Sequence, residues 1–410
     1  MPAEPGALYG LTVVDLSTVL AGPYCTMLLG DLGADVIKVE PHEGDATRGW
    51  GPPWVGDEAA GTRTAAYYLA VNRNKRSIRL DIRTEGGKRI LRRLIERGDV
   101  LVENFRVGGL ARLGFDDAML ATLNEGLVHL SISGYGTDGP DASKPGYDFV
   151  LQAVSGLMSI TGFPEAAGGH RTKVGVAIAD VVTGLQGTVA VLGALLHRER
   201  MGVERAHGQR VDVSILESTL AVLVNQAQNA FVSGHAPQRR GNSHPNIVPY
   251  ETFETSDGEI AVAVGSDRQW HRFCDAIELP GLADDPRFAT NGARVEHREV
   301  LRPIIANRLA QRTRAEWLSA LEAAEVPAGP INDVLEAFDS PQARARAIRV
   351  QVHHRMLGAI DQVAPAVRLS ATAVTIRRPP PLLGEHTREI LEELGFANEE
   401  IAEFRADGVV

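Results

Sequence analysis

A single carboxylate stands in a short stretch of small, apolar residues. The stretch is Lys173–Gly184, and Asp180 is its only acidic residue. Because burying a lone ionised carboxylate is costly unless it is paired or hydrogen-bonded, this residue needs a structural or a chemical reason. One interpretation makes Asp180 the N-cap of the helix that follows, a position that Asp favours. The other makes it a nucleophile held at a helix start. The residues of the stretch alone favour the cap.

Several common catalytic chemistries lack their motifs in this chain. It has no G-x-S-x-G nucleophile motif, no Walker lysine motif, and no C-x-x-C or H-E-x-x-H metal motif. We therefore expect no metal site. Cys25 lies within an apolar helical stripe and is expected to be a small core residue rather than a thiolate. The chemistry that these motifs leave open is catalysis by a carboxylate acting on an anionic ligand.

Length and composition limit the class of protein. The chain has 410 residues, 44% of them hydrophobic, with a net charge of -10, which predicts at least two domains and argues against a nucleic-acid or acidic-membrane partner. Only Cys25 and Cys274 are present, so we expect no disulfide framework and a reducing compartment. Residues 1–9 show no signal-peptide pattern, and the apolar runs at 150–160 and 184–196 are expected to be too short to span a bilayer. We expect a cytoplasmic protein.

The first forty residues predict a strand–helix–strand unit. Leu11–Leu16 and Ala34–Val39 have β-branched strand patterns, and Tyr24–Leu32 carries a helical apolar stripe that stops at Gly33. The unit resembles a dinucleotide-binding start, but its turn reads Leu20–Pro23 without the G-x-G-x-x-G spacing. A nicotinamide enzyme is therefore a weak alternative.

Further alternation of strands and helices predicts a Rossmann-like parallel sheet. Strands are expected at 78–82, 99–102 and 127–133, with a helix at 84–96. Ligands of such sheets bind beyond the carboxyl ends of the strands, which here means the loops 19–22, 104–109 and 134–147. The basic cluster Arg73–Arg83 is either a solvated face or a phosphate-binding site.

Changes in composition predict the domain boundaries. Residues 1–230 are expected to form most of a large α/β domain, 231–330 a smaller α+β domain with its linkers, and 331–410 a return to the large domain. The small domain should contain a β-hairpin within 253–264, since Asp257-Gly258 is a favoured hairpin turn.

Seven motifs, in this order, make the chain resemble the family III CoA-transferases. That family includes the formyl-CoA:oxalate and carnitine CoA-transferases and, as relatives, the α-methylacyl-CoA racemases. The resemblance covers nearly all of the sequence. The motifs are Val19–Pro23, Leu29–Glu40, Asn74–Ser77, Glu103–Phe105, Gly134–Gly136, Gly208–Val213 and Leu382–Thr387.

The resemblance implies roles for particular residues. It puts the nucleophile at Asp180 and a supporting acid at Asp148. It implies an interlocked homodimer, in which long linkers join the two domains of each chain, with coenzyme A and acyl-CoA as substrates and no tightly bound cofactor. The implied CoA contacts are the backbone of Val19 and Ala21, with Leu80, Arg83, Asn104 and Arg112. We expect oxyanion-stabilising amides at Gly22, Gly241 and Asn242, and a mobile loop over 241–246 that excludes water.

The resemblance also sets the expected reaction and its alternatives. The expected reaction moves CoA from an acyl-CoA donor to a carboxylic acid through an aspartyl-CoA thioester. Leu20 stands where formyl-CoA transferases have Gln, and the loop 241–246 is similar to that of the branch handling dicarboxylates, which favours succinyl-CoA as donor. A racemase is less favoured, because Tyr147 stands at the position of the racemase histidine and is a poor base at neutral pH. A non-catalytic CoA-binding protein is the third hypothesis. The sequence does not name the acceptor acid.

Overall fold

A computed structural model describes residues 6–202 and 207–410. The described chain forms two compact units. The first unit comprises the N-terminal residues to Ser155, together with Gly175–Val224 and Pro341–Val410, and the second comprises Gly156–Val174 and Asn225–Ser340.

The strands are β1 (Thr12–Asp15), β2 (Asp35–Glu40), β3 (Trp54–Val55), β4 (Thr64–Ala65), β5 (Lys75–Arg79), β6 (Val100–Glu103), β7 (Val128–Ser133), β8 (Arg210–Ser214), β9 (Tyr250–Glu254), β10 (Glu259–Ala263), β11 (Ala328–Pro330), β12 (Arg349–His354) and β13 (Gly358–Val363). The helices are α1 (Ala21–Asp31), α2 (Ala66–Val71), α3 (Glu85–Arg97), α4 (Gly109–Arg112), α5 (Asp117–Leu123), α6 (Asp148–Val154), α7 (Leu157–Ile160), α8 (Ile178–Met201), α9 (Ile215–Ala221), α10 (Val224–Ser233), α11 (Asp267–Ala276), α12 (Gly281–Asp284), α13 (Asn291–Glu296), α14 (Arg298–Leu309), α15 (Arg314–Ala323), α16 (Val334–Asp339), α17 (Pro341–Ala345), α18 (Thr387–Glu393) and α19 (Asn398–Ala406).

The first unit is built on a six-stranded parallel sheet, which confirms the predicted α/β class. The strand order is β5-β2-β1-β6-β7-β8. The order reverses between β1 and β6, so the loops that follow these two strands diverge and leave a crevice at the carboxyl edge of the sheet. Apolar clusters cover both faces: α3, α5, α18 and α19 pack on one face, and α1 and α8 on the other.

Most of the basic cluster Arg73–Arg83 is not a solvated face, and the strand that we expected at 78–82 begins earlier. The strand is β5, three residues earlier, and its cations point into acids of the same unit. Arg73 pairs with Asp31 at 2.6 Å, and Lys75 pairs with Asp15 at 3.1 Å. Arg76 bonds acids of β2 and α18. Because these three cations are already neutralised, only Arg79 and Arg83 of the cluster lie exposed.

Helix α8 packs closely on α1 through two glycines. A Cβ atom on Gly184 would lie 2.7 Å from the carbonyl oxygen of Ala21, and one on Gly187 would lie 3.4 Å from the Sγ of Cys25. The helix has 24 residues and is long and apolar enough to cross a membrane by length and composition alone, so the expectation that this run is too short was wrong. Half of its most apolar window is buried inside the protein, as in a core helix.

The second unit has an antiparallel sheet of order β11-β10-β9. The hairpin β9–β10 pairs Glu254 with Glu259 around the predicted Asp257-Gly258 turn. Helices α11, α14 and α15 bury an aromatic core against it, including Trp270, Phe273 and Trp317.

Candidate active site

A cleft of about 230 Å³ opens at the carboxyl edge of the parallel sheet, within the first unit. Its walls come from the loops after β1, β6 and β7 and from the first turn of α8, as expected for a doubly wound sheet. Its lining residues include Val19, Leu20, Ala21, Asn104, Phe105, Arg106, Val107, Ser133, Lys144, Tyr147 and Asp180.

Asp180 is buried at the wall of this cleft, with 8% of its surface exposed. It is not the N-cap of α8: Ala177 holds that position, its side chain makes no capping bond, and Asp180 lies in the first turn. The N-cap interpretation is therefore wrong. In the described residues, no hydrogen bond reaches the Asp180 carboxylate. The carboxylate is thus buried, unpaired and next to open space.

Asp148 supplies the cap that Ala177 lacks. Its Oδ1 accepts hydrogen bonds from the backbone N–H of Ala179 at 2.8 Å and of Asp180 at 3.4 Å. Its Oδ2 accepts a bond from the amide of Gln152, one turn along α6, at 2.7 Å. The structure thus brings Asp148 and Asp180 together, with the carboxylate of Asp148 bonded to the backbone N–H of Asp180.

Burial, together with the neighbouring charge of Asp148, raises the pKa of Asp180 from 3.8 to about 7. Both causes disfavour the ionised form. At neutral pH the carboxyl group therefore exchanges readily between its acid and its carboxylate, and the carboxylate is poorly solvated. A poorly solvated carboxylate is a stronger nucleophile than one in water.

Two polar side chains hold the loop after β1. Asn104 accepts a bond from the Thr18 N–H at 3.0 Å and donates one to the Thr18 carbonyl at 2.8 Å. Asp45 accepts a bond from the Val19 N–H at 3.3 Å. Val19 has φ of 71°, a conformation that a β-branched residue rarely adopts. These bonds keep a strained loop in place at the wall of the cleft.

A fully buried charge network lies beneath that loop. Lys75 bonds Asp15 at 3.1 Å and the carbonyl of Pro23 at 2.9 Å, and Lys38 bonds Asp45 at 2.9 Å. Burial outweighs the carboxylates around Lys75 and lowers its pKa to about 8, whereas the surrounding carboxylates hold the pKa of Lys38 above its ordinary value. Breaking one partner of such a buried pair is strongly destabilising, so the network fixes the backbone between β1 and α1.

The N-terminus of α1 meets the same cleft. Among the described residues, no acceptor is bound by the backbone N–H of Ala21 or of Gly22, and residue 23 is a proline without an N–H. The positive end of the helix dipole adds to these two donors. Gly22 can be only glycine, because a Cβ atom there would lie 2.3 Å from the side chain of Ser17.

The structure brings together some of the predicted CoA contacts. Val19, Ala21 and Asn104 line the cleft with Asp180. The side chain of Leu80 lies in the apolar core, and its backbone N–H donates a bond to the carbonyl of Glu40 at the end of β2. Arg83 is exposed and bonds Asp81.

Three predicted residues lie elsewhere. Arg112 is exposed on α4 and donates a bond to the carbonyl of Val107. Gly241 and Asn242 belong to the second unit, where Gly241 donates a backbone bond to the Gly162 carbonyl and Asn242 donates a side-chain bond to Thr252. The CoA roles of Val19, Ala21, Leu80, Arg83, Asn104 and Arg112 and the oxyanion roles of Gly22, Gly241 and Asn242 stay predictions.

Sequence reasoning missed two groups at the site. Tyr67 on α2 lies near both acids: burial raises its pKa first, and the charges of Asp180 and Asp148 raise it further. It therefore stays a neutral hydroxyl. Arg106 lines the cleft and, within the described chain, makes no ion pair, whereas Lys144 pairs with Asp141 at 2.7 Å. Neither Tyr67 nor Arg106 stands in a motif that would have distinguished it from a surface residue.

A buried carboxylate beside unbonded helix amides, at the edge of a parallel sheet, is an arrangement suited to acyl transfer. Residues 8–387 match CoA-transferase family III, and the chain belongs to that family. It is an enzyme of the CoA-transferase type, a class whose substrates are CoA thioesters.

Named relatives agree over nearly the full chain. The sequence is 44% identical over 395 residues to the succinate–glutarate CoA-transferase of Agrobacterium fabrum, covering 96% of this chain and 97% of the relative. It is 40% identical to the succinyl-CoA:glutarate CoA-transferase of Homo sapiens, covering 98% of this chain and 90% of the relative. A crystal structure of a CaiB/BaiF family protein from Brucella suis is similar with a TM-score of 0.82 and 42% identity, over 95% of this chain and 100% of the other.

Proposed function

We propose that this enzyme moves CoA from succinyl-CoA to a small dicarboxylic acid through an aspartyl-CoA thioester on Asp180. The observation that carries the proposal is the buried, unpaired carboxylate at the wall of the cleft, with its pKa raised to about 7. A carboxylate with no structural bond of its own is available to attack a bound thioester.

The proposed reaction has four steps. An Asp180 oxygen attacks the thioester carbon of the donor, the carbon–sulfur bond breaks, and CoA leaves as a thiolate. The product of this step is a mixed anhydride between the succinyl group and Asp180. The thiolate attacks the aspartyl carbon of the anhydride, releasing succinate and leaving the aspartyl-CoA thioester. The acceptor carboxylate then attacks that thioester, again expelling the thiolate. The thiolate finally attacks the acceptor's acyl carbon, which gives the product thioester and returns Asp180 as a carboxylate.

Every step passes through a tetrahedral oxyanion that needs hydrogen-bond donors. The unbonded amides of Ala21 and Gly22 are the donors that we propose, because they lie at the positive end of α1. The same role for Gly241 and Asn242, and for the loop 241–246 in excluding water, stays a prediction, and it requires the Gly241 N–H to leave the Gly162 carbonyl that it bonds. Exclusion of water protects the anhydride from hydrolysis.

A dicarboxylic acceptor is supported by the names of the relatives and by one arginine. Two relatives are named for transfer between succinate or succinyl-CoA and glutarate. Arg106 is a cleft-lining guanidinium without an ion pair in the described chain. A guanidinium binds a carboxylate through two parallel bonds, so Arg106 is suited to the carboxylate that does not react.

We also propose that the enzyme acts as an interlocked homodimer in the cytoplasm. Leu185, Val189 and Leu196 of α8 expose between 44% and 70% of their surface on one face of the helix, and Phe149 and Val154 of α6 expose more than half of theirs. Apolar patches of this kind mark interaction surfaces. Both cysteines are buried and free, as in a reducing compartment.

Racemase chemistry is the alternative and has less support. It needs a second base opposite Asp180, and Tyr147 lines the cleft where the racemases carry histidine. A phenol is a weak base at neutral pH. Deuterium uptake at the α-carbon of a 2-methylacyl-CoA would favour this alternative.

The test is acyl exchange with succinyl-CoA and a panel of mono- and dicarboxylic acids. Asp180→Ala is expected to lower turnover by at least about a thousandfold, since removal of a covalent nucleophile leaves only binding and oxyanion stabilisation. Asp407→Ala, on an exposed acid at the end of α19, is the matched control and keeps full turnover. Retained exchange in the Asp180 variant would overturn the proposal.

A further inference from the structure

His129 is a buried polar residue that the proposed reaction does not use. It lies on β7 in the first unit, with 6% of its surface exposed. Neither ring nitrogen has a hydrogen-bond partner among the described residues. A neutral imidazole carries one donor and one acceptor, and leaving both unmet in the interior is costly. The ring thus lies in the interior without a protein hydrogen-bond partner among the described residues.

Two carboxylates flank the imidazole. Glu103 Oε1 lies 3.8 Å from Nε2, and Asp117 Oδ1 lies 3.8 Å from Nδ1. Both distances are too long for a hydrogen bond but short enough for an ion pair with a charged ring. Glu103 is itself buried, and its other oxygen accepts a bond from the Phe105 N–H at 2.7 Å.

The remaining charges near the ring do not neutralise these acids fully. Arg210 on β8 bonds Asp117 at 2.9 Å and is shared with Asp212. Asp116 caps α5 through the N–H of Met119. Arg106, on the loop after β6, is the remaining charged residue in the wall of the cavity that borders the ring.

The imidazole borders a cavity of about 120 Å³, which we call the side cavity. Its wall includes Glu103, Asp117, His129, Ser131 and Arg210. The side cavity and the active-site cleft share four wall residues: Phe105, Arg106, Val107 and Ser133. A change in the side cavity therefore acts on the loop that forms one wall of the cleft.

We propose that His129 is a proton-binding site that controls this shared wall. The protonated ring has two N–H donors, one directed to Glu103 and one to Asp117, and a movement of less than about 1 Å on each side makes both contacts charge-assisted hydrogen bonds. Glu103 is joined to Phe105 through the backbone bond, so the clamp orders the segment 104–109. The neutral ring releases the clamp and leaves the segment looser.

The sign of the pH effect follows from the partners gained. The charged ring gains two carboxylate partners, Glu103 and Asp117, through charge-assisted bonds that the neutral ring does not form. CoA binding, which rests on the proposed function, should be tighter in the protonated form, because the wall of the cleft is then ordered.

The first experiment does not depend on the proposed function. The His129 ring resonance is followed by NMR between about pH 5.5 and about pH 8.5 in wild type and in Glu103→Gln, which removes one flanking charge. The expected result is a titration that moves to lower pH in the variant. Thermal unfolding is compared across the same pH range for His129→Gln and for a control, His271→Gln, which changes an exposed histidine of α11. The advantage of wild type over His129→Gln should shrink as the pH rises, and His271→Gln should follow wild type.

The second experiment measures the dissociation constant of CoA across the same pH range. We divide the CoA affinity of wild type by that of His129→Gln at each pH. This ratio should be about threefold to tenfold higher at low pH than at high pH. An unchanged titration in Glu103→Gln, or equal pH dependence of wild type and His129→Gln, would overturn the proton site. Absence of CoA binding at any pH would instead count against the proposed function, and the NMR and unfolding results would still decide the proton site.

Discussion

Asp180→Asn is expected to abolish exchange and, at the same time, to stabilise the protein. The asparagine keeps the size of the side chain and removes the charge that burial disfavours. Its backbone N–H can still bond Asp148. A substitution that removes a nucleophile and raises stability separates a functional carboxylate from a structural one, because a structural ion pair or cap would lose stability instead.

The magnitude follows from the raised pKa. The group ionises near pH 3.8 in the unfolded chain and near about 7 in the folded protein. The folded state therefore binds more protons between these values, and stability falls as the pH rises from about 4 to about 7. At about 1.4 kcal/mol for each pKa unit, the full cost has an upper bound of about 4 kcal/mol. We expect Asp180→Asn to recover about 1 to 3 kcal/mol at pH values above about 7 and little at about pH 4.

Chemical denaturation of wild type and Asp180→Asn at several pH values measures this difference, with Asp407→Asn as the exposed control. The gain should increase with pH and reach a plateau. A variant that is as stable as wild type, or less stable, at high pH would refute the claim that the carboxylate is desolvated and unpaired.

Three further predictions concern the surroundings of Asp180. Because Asp148 contributes to the raised pKa, Asp148→Asn should shift the acidic limb of the kcat/KM–pH profile to lower pH by up to about one unit, while its amide oxygen still caps α8; an unshifted limb would argue against coupling of the two acids. Gly184→Ala should lower stability by about 1 to 3 kcal/mol in denaturation, because its Cβ atom would meet the Ala21 carbonyl at 2.7 Å, whereas Gly193→Ala, with open space around it, should be neutral or stabilising. Arg106→Gln should raise KM for dicarboxylic acceptors by about tenfold or more and leave monocarboxylic acceptors nearly unchanged; an equal loss for both would assign Arg106 to another part of the substrate.

The parallel sheet was predictable because its signal is local. The strands β1, β2, β6 and β7 are short runs rich in β-branched residues, and helices α1, α3 and α5 lie between successive strands of the sheet. Parallel pairing then puts the loops after β1, β6 and β7 at one edge, which is where the cleft lies.

The parts that sequence reasoning missed depend on contacts far apart in the chain. The start of α8 was misplaced because its cap comes from Asp148, 32 residues earlier than Asp180. The cluster after Asn72 was interpreted as surface or phosphate-binding because the acids that neutralise it, Asp15, Asp31 and Asp35, stand between 41 and 60 residues earlier. No local pattern distinguishes a paired cation from an unpaired one such as Arg106.

The most direct test of the central claim is mass analysis of the enzyme during turnover. Wild type mixed with succinyl-CoA, stopped rapidly and digested, should carry one CoA on the peptide that contains Asp180, in a form that hydroxylamine removes. Asp180→Asn should carry none. A CoA adduct on another residue, or full exchange with no adduct at any time point, would contradict the account.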